Sequence, residues 1–209
     1  HALKGKEFVD GADSVMVPAD MARENGTLTI LFGSTGQDDL LKDTRWTVTP
    51  VNETSLGYFA QAPPNRASPR ERLAYYARFL QHRDPVIAED AYLEFAHAPF
   101  SDVVQVADKL PSDQLRAWVT DLNIPQERKG FFALALGFPR SDEEADTNAA
   151  FLREIILAPA SDFRAGFDGV IGGYLLVAGV PGLELIEQQI LKNPDAAEGD
   201  IRHVANALR

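Results

Sequence analysis

Cysteine is absent from all 209 residues. That removes disulfides, thiolate zinc sites, cysteine nucleophiles and iron–sulfur clusters in one step. Basic charge is scarce: 20 Lys and Arg stand against 31 Asp and Glu, a net charge of −11. Nucleic acid, whose phosphates need clustered Lys and Arg, is therefore not an expected partner. Docking on anionic lipid is disfavoured for the same reason. Long apolar runs are missing as well. A membrane span takes about 20 apolar residues, and the richest stretch, GVIGGYLLVAGV at 169–180, is shorter and broken by glycine. No membrane insertion is expected. Histidine is limited to His1, His82, His97 and His203, which narrows the choice of imidazole metal sites.

What is present reads as a globular chain long enough for a sizeable core. Its two parts differ in character. Residues 1–67 are expected to be β-rich, with strands at DSVMV (13–17), TLTILFG (27–33), RWTVTPV (45–51) and SLGYFAQ (55–61), all rich in Val, Thr, Ile or aromatics. Asn25-Gly26 suits a tight turn before the strongest of these runs. Four short strands predict a small open barrel or curled sheet. APPNRASP (62–69) then reads as a linker, since paired prolines stop both helix and central strand.

From Ser68 to the end the pattern is helical. Ser68 is the expected cap and Pro69 the first helical position, with Leu73, Tyr76, Ala77 and Leu80 at helical spacing. Internal repetition follows. FAHAPF (95–100), ALGFPR (135–140) and VAGVPG (177–182) each close an apolar helix with a small residue and a proline. After each comes a second stretch expected to be an amphipathic helix: VVQVADKL, AAFLREIIL and LELIEQQIL. Further helices are expected at LRAWVTDL, PQERKGFFALALG, DFRAGFDGVIGGYLLVAG and AEGDIRHVANALR.

This two-helix period, spaced by Pro99, Pro139 and Pro181, resembles HEAT-like and armadillo-like α-α repeats. The resemblance covers residues 68–209 and implies helical hairpins stacked into a superhelix. The opening LKG followed by GADSVMVP resembles the later strands of OB-like barrels in exported bacterial proteins. The expected fold class is thus α+β and mainly α, a small β-rich region (1–67) preceding a HEAT-like repeat domain (68–209). The missing initial methionine, and a finish inside the helical pattern RHVANALR, lead us to expect a processed piece of a longer protein, truncated at its C-terminus. Together with the barrel-like opening, the missing methionine leans the expected compartment outside the cytoplasm.

Several motifs invite a chemical reading. In DPVIAEDAYLEFAHAP (84–99), Glu94 and His97 have the Glu-x-x-His spacing of a helix-borne metal ligand pair, and Asp90 lies one turn earlier. A di-metal bundle needs a second such pair, and Asp200-Ile201-Arg202-His203 is only a substitute. Packing, with His97 at a helix end, is the favoured reading. GSTGQDD (33–39) follows a strand as a phosphate loop would, yet lacks the Gly-Lys-Ser/Thr ending, so a turn is expected. SDEEAD (141–146) lacks the spacing and glycine of an EF-hand and suits a capped helix start. Gly166, Gly169, Gly172 and Gly173 interrupt an apolar helix. Close packing on a face shared by Gly166, Gly169 and Gly172 is preferred to a backbone-lined peptide groove. Asn25-Gly26-Thr27 and Asn52-Glu53-Thr54 match glycosylation acceptors but are read as turn residues.

No catalytic triad or nucleophile elbow stands out, so no catalytic, cofactor or metal residues are assigned. The expected function is a non-catalytic scaffold that binds a protein or peptide, with Trp118 and the acidic surface as candidate contacts. The alternative is a metal- or carboxylate-dependent enzyme using Asp90, Glu94 and His97.

Overall fold

The computed structural model describes residues 27–34, 45–64, 66–158 and 164–209. The expected strand at 13–17 and the turn at Asn25-Gly26 lie outside these residues. So does most of GSTGQDD. The chain is mainly helical with one two-stranded antiparallel sheet among the described residues. Its contacts group into two compact units, residues 1–94 and 95–209. The change of composition near residue 67 falls inside the first.

In the first unit, β1 (Thr29–Ser34) pairs with β2 (Arg45–Pro50), Leu31 opposite Val48. The strand expected at 55–61 is instead helix α1 (Glu53–Gln61). Aromatic richness suggested β, but the local chemistry favours a helix. Asn52 accepts a hydrogen bond from the Ser55 N–H at 2.9 Å, and Ser55 Oγ accepts one from the Asn52 N–H at 3.0 Å. This reciprocal capping box satisfies two otherwise orphaned donors. Ser55, Tyr58 and Phe59 are then buried at helical, not alternating, spacing.

Helix α2 (Pro69–Tyr76) begins as expected, with Ser68 Oγ accepting from the Glu71 N–H and Pro69 in the first turn. A 3-10 turn, Ala77–Phe79, follows. Helix α3 (Pro85–Ala96) starts after Asp84, whose carboxylate accepts from the Val86 N–H at 3.0 Å and from Asn52 Nδ2 at 2.7 Å. Asn52 therefore serves a helix start rather than a simple turn.

The second unit holds α4 (Phe100–Val104), α5 (Ser112–Thr120), α6 (Gln126–Ala135), α7 (Asp142–Leu157), α8 (Phe167–Ile186) and α9 (Glu198–Ala207). The helix expected over VVQVADKL is divided, α4 ending at Val104 and a 3-10 turn occupying Ala107–Lys109. That turn lets Val103 and Val106 both enter the core. Ser141 caps α7 as expected, its Oγ accepting from the Glu144 N–H.

Helix α8 packs against α6, α7 and α9. Its glycines explain how closely it approaches α6. A Cβ on Gly169 would sit 2.0 Å from the Gly130 carbonyl oxygen, and one on Gly173 would sit 2.2 Å from that of Ala133. The backbones touch, which compensates the roughly 1 kcal/mol that each interior glycine costs a helix. The close-packing expectation holds, with a correction to the face. Gly169 and Gly173 meet α6 main chain, whereas Gly172 meets the Leu134 side chain. Gly166 stands before the helix at φ 76°, the left-handed region that glycine occupies without strain.

Polar groups hold the helix ends in register. Buried Asn148 on α7 donates to Ser112 Oγ at 3.1 Å and to the Leu136 carbonyl at 2.9 Å, and accepts from Arg116. Arg164 lies 3.4 Å from the Phe167 ring centroid, pairs with Asp200 at 2.6 Å and donates to the Ile155 carbonyl at 3.2 Å. One guanidinium thus links the end of α7, the start of α8 and α9.

Candidate functional site

The carboxylates singled out from sequence are both committed to protein partners. Asp90 accepts from the Tyr58 hydroxyl at 2.8 Å. Glu94 accepts from Arg72, a pair partly shielded from solvent, and hydrogen-bonds with Tyr76. Burial, followed by the nearby Asp90 charge, pushes the Tyr58 hydroxyl far above the ordinary phenol range. Burial and then Glu94 do the same to Tyr76. Both phenols stay protonated at neutral pH and act as donors. Tyr75 adds a third bond, donating to the Tyr58 carbonyl at 2.7 Å. The cluster ties α1 to α2 and α3.

His97 follows Ala96, the last residue of α3, and is exposed. Among the described residues no group of three or more His, Asp or Glu could hold a metal ion. Trp118 is half-buried, its ring 4.9 Å from that of Phe132. A polar cleft of about 460 Å³ lies beside the start of α7, lined by Asp113, Arg116, Arg140, Glu143 and Glu144 among others. Its arginines are engaged by Asp113, Asn148 and Glu144. Hydrogen bonding from Arg140 lowers the Glu144 carboxyl to about 2.

The second half of α8 differs from these sites. At Gly179 the backbone leaves the helix (φ 57°, ψ −134°), and two residues later comes Pro181. Proline has no N–H, so it cannot supply the usual helical bond to the Val177 carbonyl. Beyond Ile186 the chain widens into a π-helical turn, Glu187–Leu191. One side of this segment is core: Tyr174, Ile186 and Ile190 are buried. The same segment also carries large apolar groups in water. Leu176 is 47% exposed, Val180 67%, Leu183 48% and Leu191 49%. Steps of four, three and eight residues separate them, with exposed Glu184 and Glu187 interspersed.

A scattered exposed leucine needs no explanation, but apolar side chains repeated along one element do. By length and composition alone, Phe167–Leu191 could cross a membrane, an 18-residue stretch within it having mean hydropathy 1.7. The break at Gly179 and the carboxylates at 184 and 187 would be costly in hydrocarbon. VAGVPG is legible in the sequence as a helix end, whereas the exposed apolar groups are not, because apolar periodicity looks the same whether a face meets core or water.

No family model, curated protein or solved structure matches this chain.

Proposed function

We propose that the protein is a non-catalytic binding module, a stack of HEAT-like helical hairpins that engages a protein or peptide, with the β-rich opening as an accessory. The observation that carries this reading is the exposure of Leu176, Val180, Leu183 and Leu191 along a segment that also buries Tyr174, Ile186 and Ile190. Burying one such side chain contributes about 1.5–3 kcal/mol relative to leaving it exposed. Four on one element therefore supply a substantial part of an interface. Pairing of neighbouring helices, α5 with α6, α7 with α8 and α8 with α9, supports the stacked-hairpin reading. The commitment of Asp90 and Glu94 to Tyr58, Arg72 and Tyr76 supports a structural role for those carboxylates.

The test compares affinity capture from the native cell extract by the parent chain and by a Val180→Asp/Leu183→Asp variant of unchanged helicity. A partner retained by the parent and lost from the variant is expected. If both recover the same proteins in equal amounts, the α8 face is not the binding surface.

A further inference from the structure

We propose that the exposed face of α8 and its π-helical turn receives a basic amphipathic helix from another protein. Its apolar side would lie on Val180, Leu183 and Leu191, and its Lys or Arg side chains against Glu184 and Glu187. This rests on the binding reading above and adds the chemistry of the partner.

The spacing argues for a helix. Val180 and Leu183 stand three residues apart after the break at Gly179, and Leu191 closes the π-helical turn beyond them, so the apolar groups lie along a helical surface of the kind on which another helix packs. An extended strand would instead require a row of free backbone donors and acceptors, which a helix does not offer. The charge argues for a basic partner. Glu184 and Glu187 lie among the apolar groups, and both are exposed. Lys192 meets Glu187 at 2.9 Å, with both side chains half-exposed or more. A pair so hydrated contributes little, so an incoming cation readily takes the place of Lys192.

Complementarity also weighs against other occupants. A second copy docked through the same face would gather Glu184 and Glu187 of both copies into one interface, since a two-fold contact uses the same patch on each subunit. The chain's charge of −11 adds long-range repulsion to that pairing. An anionic membrane would repel the same carboxylates. A basic helix satisfies both components of the surface, and opposite charge raises its rate of encounter.

The experiment uses two synthetic helical peptides of about 14 residues. Both present leucines on one face; one carries lysine beside them and the other glutamate. Binding to the intact chain is followed by fluorescence anisotropy at low and high salt. The lysine peptide should bind at least about tenfold more tightly than the glutamate peptide, and salt should narrow the difference. Glu184→Lys/Glu187→Lys should weaken it about tenfold, and Val180→Ser/Leu183→Ser should abolish it. An equal charge change elsewhere, Glu143→Lys/Asp146→Lys, should preserve most of the affinity, which separates a specific face from general attraction to an acidic protein.

Equal binding of both peptides, still dependent on Val180 and Leu183, overturns the basic partner and leaves the binding face standing. Binding indifferent to Val180 and Leu183 overturns both. Light scattering that shows a dimer dissolved by Val180→Ser/Leu183→Ser overturns the hetero-partner in favour of a second copy. Sedimentation with phosphatidylserine vesicles that depends on Leu183 overturns it in favour of a membrane.

Discussion

Replacing Gly169 by alanine tests the closest approach in the fold. The added Cβ would lie 2.0 Å from the Gly130 oxygen, 2.5 Å from its carbonyl carbon and 2.7 Å from its Cα, where contacts under 3.0 Å are essentially never seen. Helices α6 and α8 must therefore part by about 1 Å, on van der Waals grounds, at the point where they touch. Neither clashing surface is a side chain that can rotate away. Overpacking costs about 1–3 kcal/mol, and a main-chain collision belongs at the upper end. Alanine returns about 1 kcal/mol through helix propensity. The expected net loss is about 2 kcal/mol, a fall in Tm of about 4–8 °C for a chain of this size. Thermal melts by far-UV circular dichroism, with urea titration alongside, measure it. Gly57→Ala in α1 is the counterpart, since its Cβ would meet only Gln61 Nε2 at 3.9 Å. It should gain about 0.5–1 kcal/mol. A Gly169→Ala protein as stable as its parent would refute the backbone contact between α6 and α8.

Further outcomes follow from the same structure. Asn148→Ala should cost about 2–3 kcal/mol in urea unfolding, because the buried Leu136 carbonyl loses its donor and Arg116 loses an acceptor; a neutral effect would dismiss Asn148 as a linchpin of α5 to α7. Gly179→Ala should destabilise by about 1–3 kcal/mol through backbone strain alone, since nothing lies within 4 Å of its Cβ and only φ 57° opposes the change. A melt unchanged by that substitution would argue against the break in α8. The Glu144–Arg140 pair sets a pH dependence. The folded carboxyl is lowered from 4.5 to about 2, so its contribution is complete above pH 4.5 and is lost as pH falls toward 2. Exposure of Arg140 keeps that contribution modest. Glu144→Gln should lose this part of the acid sensitivity, and an identical acid-unfolding profile would remove the pair from the account.

Much of the helical part was legible residue by residue. Ser68 and Ser141 announced their helices because a hydroxyl before a helix-forming run satisfies orphaned N–H groups wherever it occurs. The glycine run in α8 pointed to close packing because a repeated propensity cost needs a compensating contact. The misreading of 55–61 has an equally local cause. Aromatic content points to β, while Asn52 and Ser55, which read as a turn residue and the first residue of a strand, decide the segment by capping a helix. The exposed stripe was not legible at all. Leu183 and Ile186 are equally apolar in the sequence, yet one meets water and the other the core.

Taken alone, then, the sequence determined which segments could be helical, where several must start, and which chemistries lack their atoms, because caps, prolines and missing thiols act within a few bonds. Only the tertiary structure decided that Gly130 would be matched by Gly169, that Asp90 would be matched by Tyr58, and that Val180 would face solvent. Those outcomes depend on which distant surfaces meet. Burial depends on the whole packed arrangement, and no local pattern carries that information.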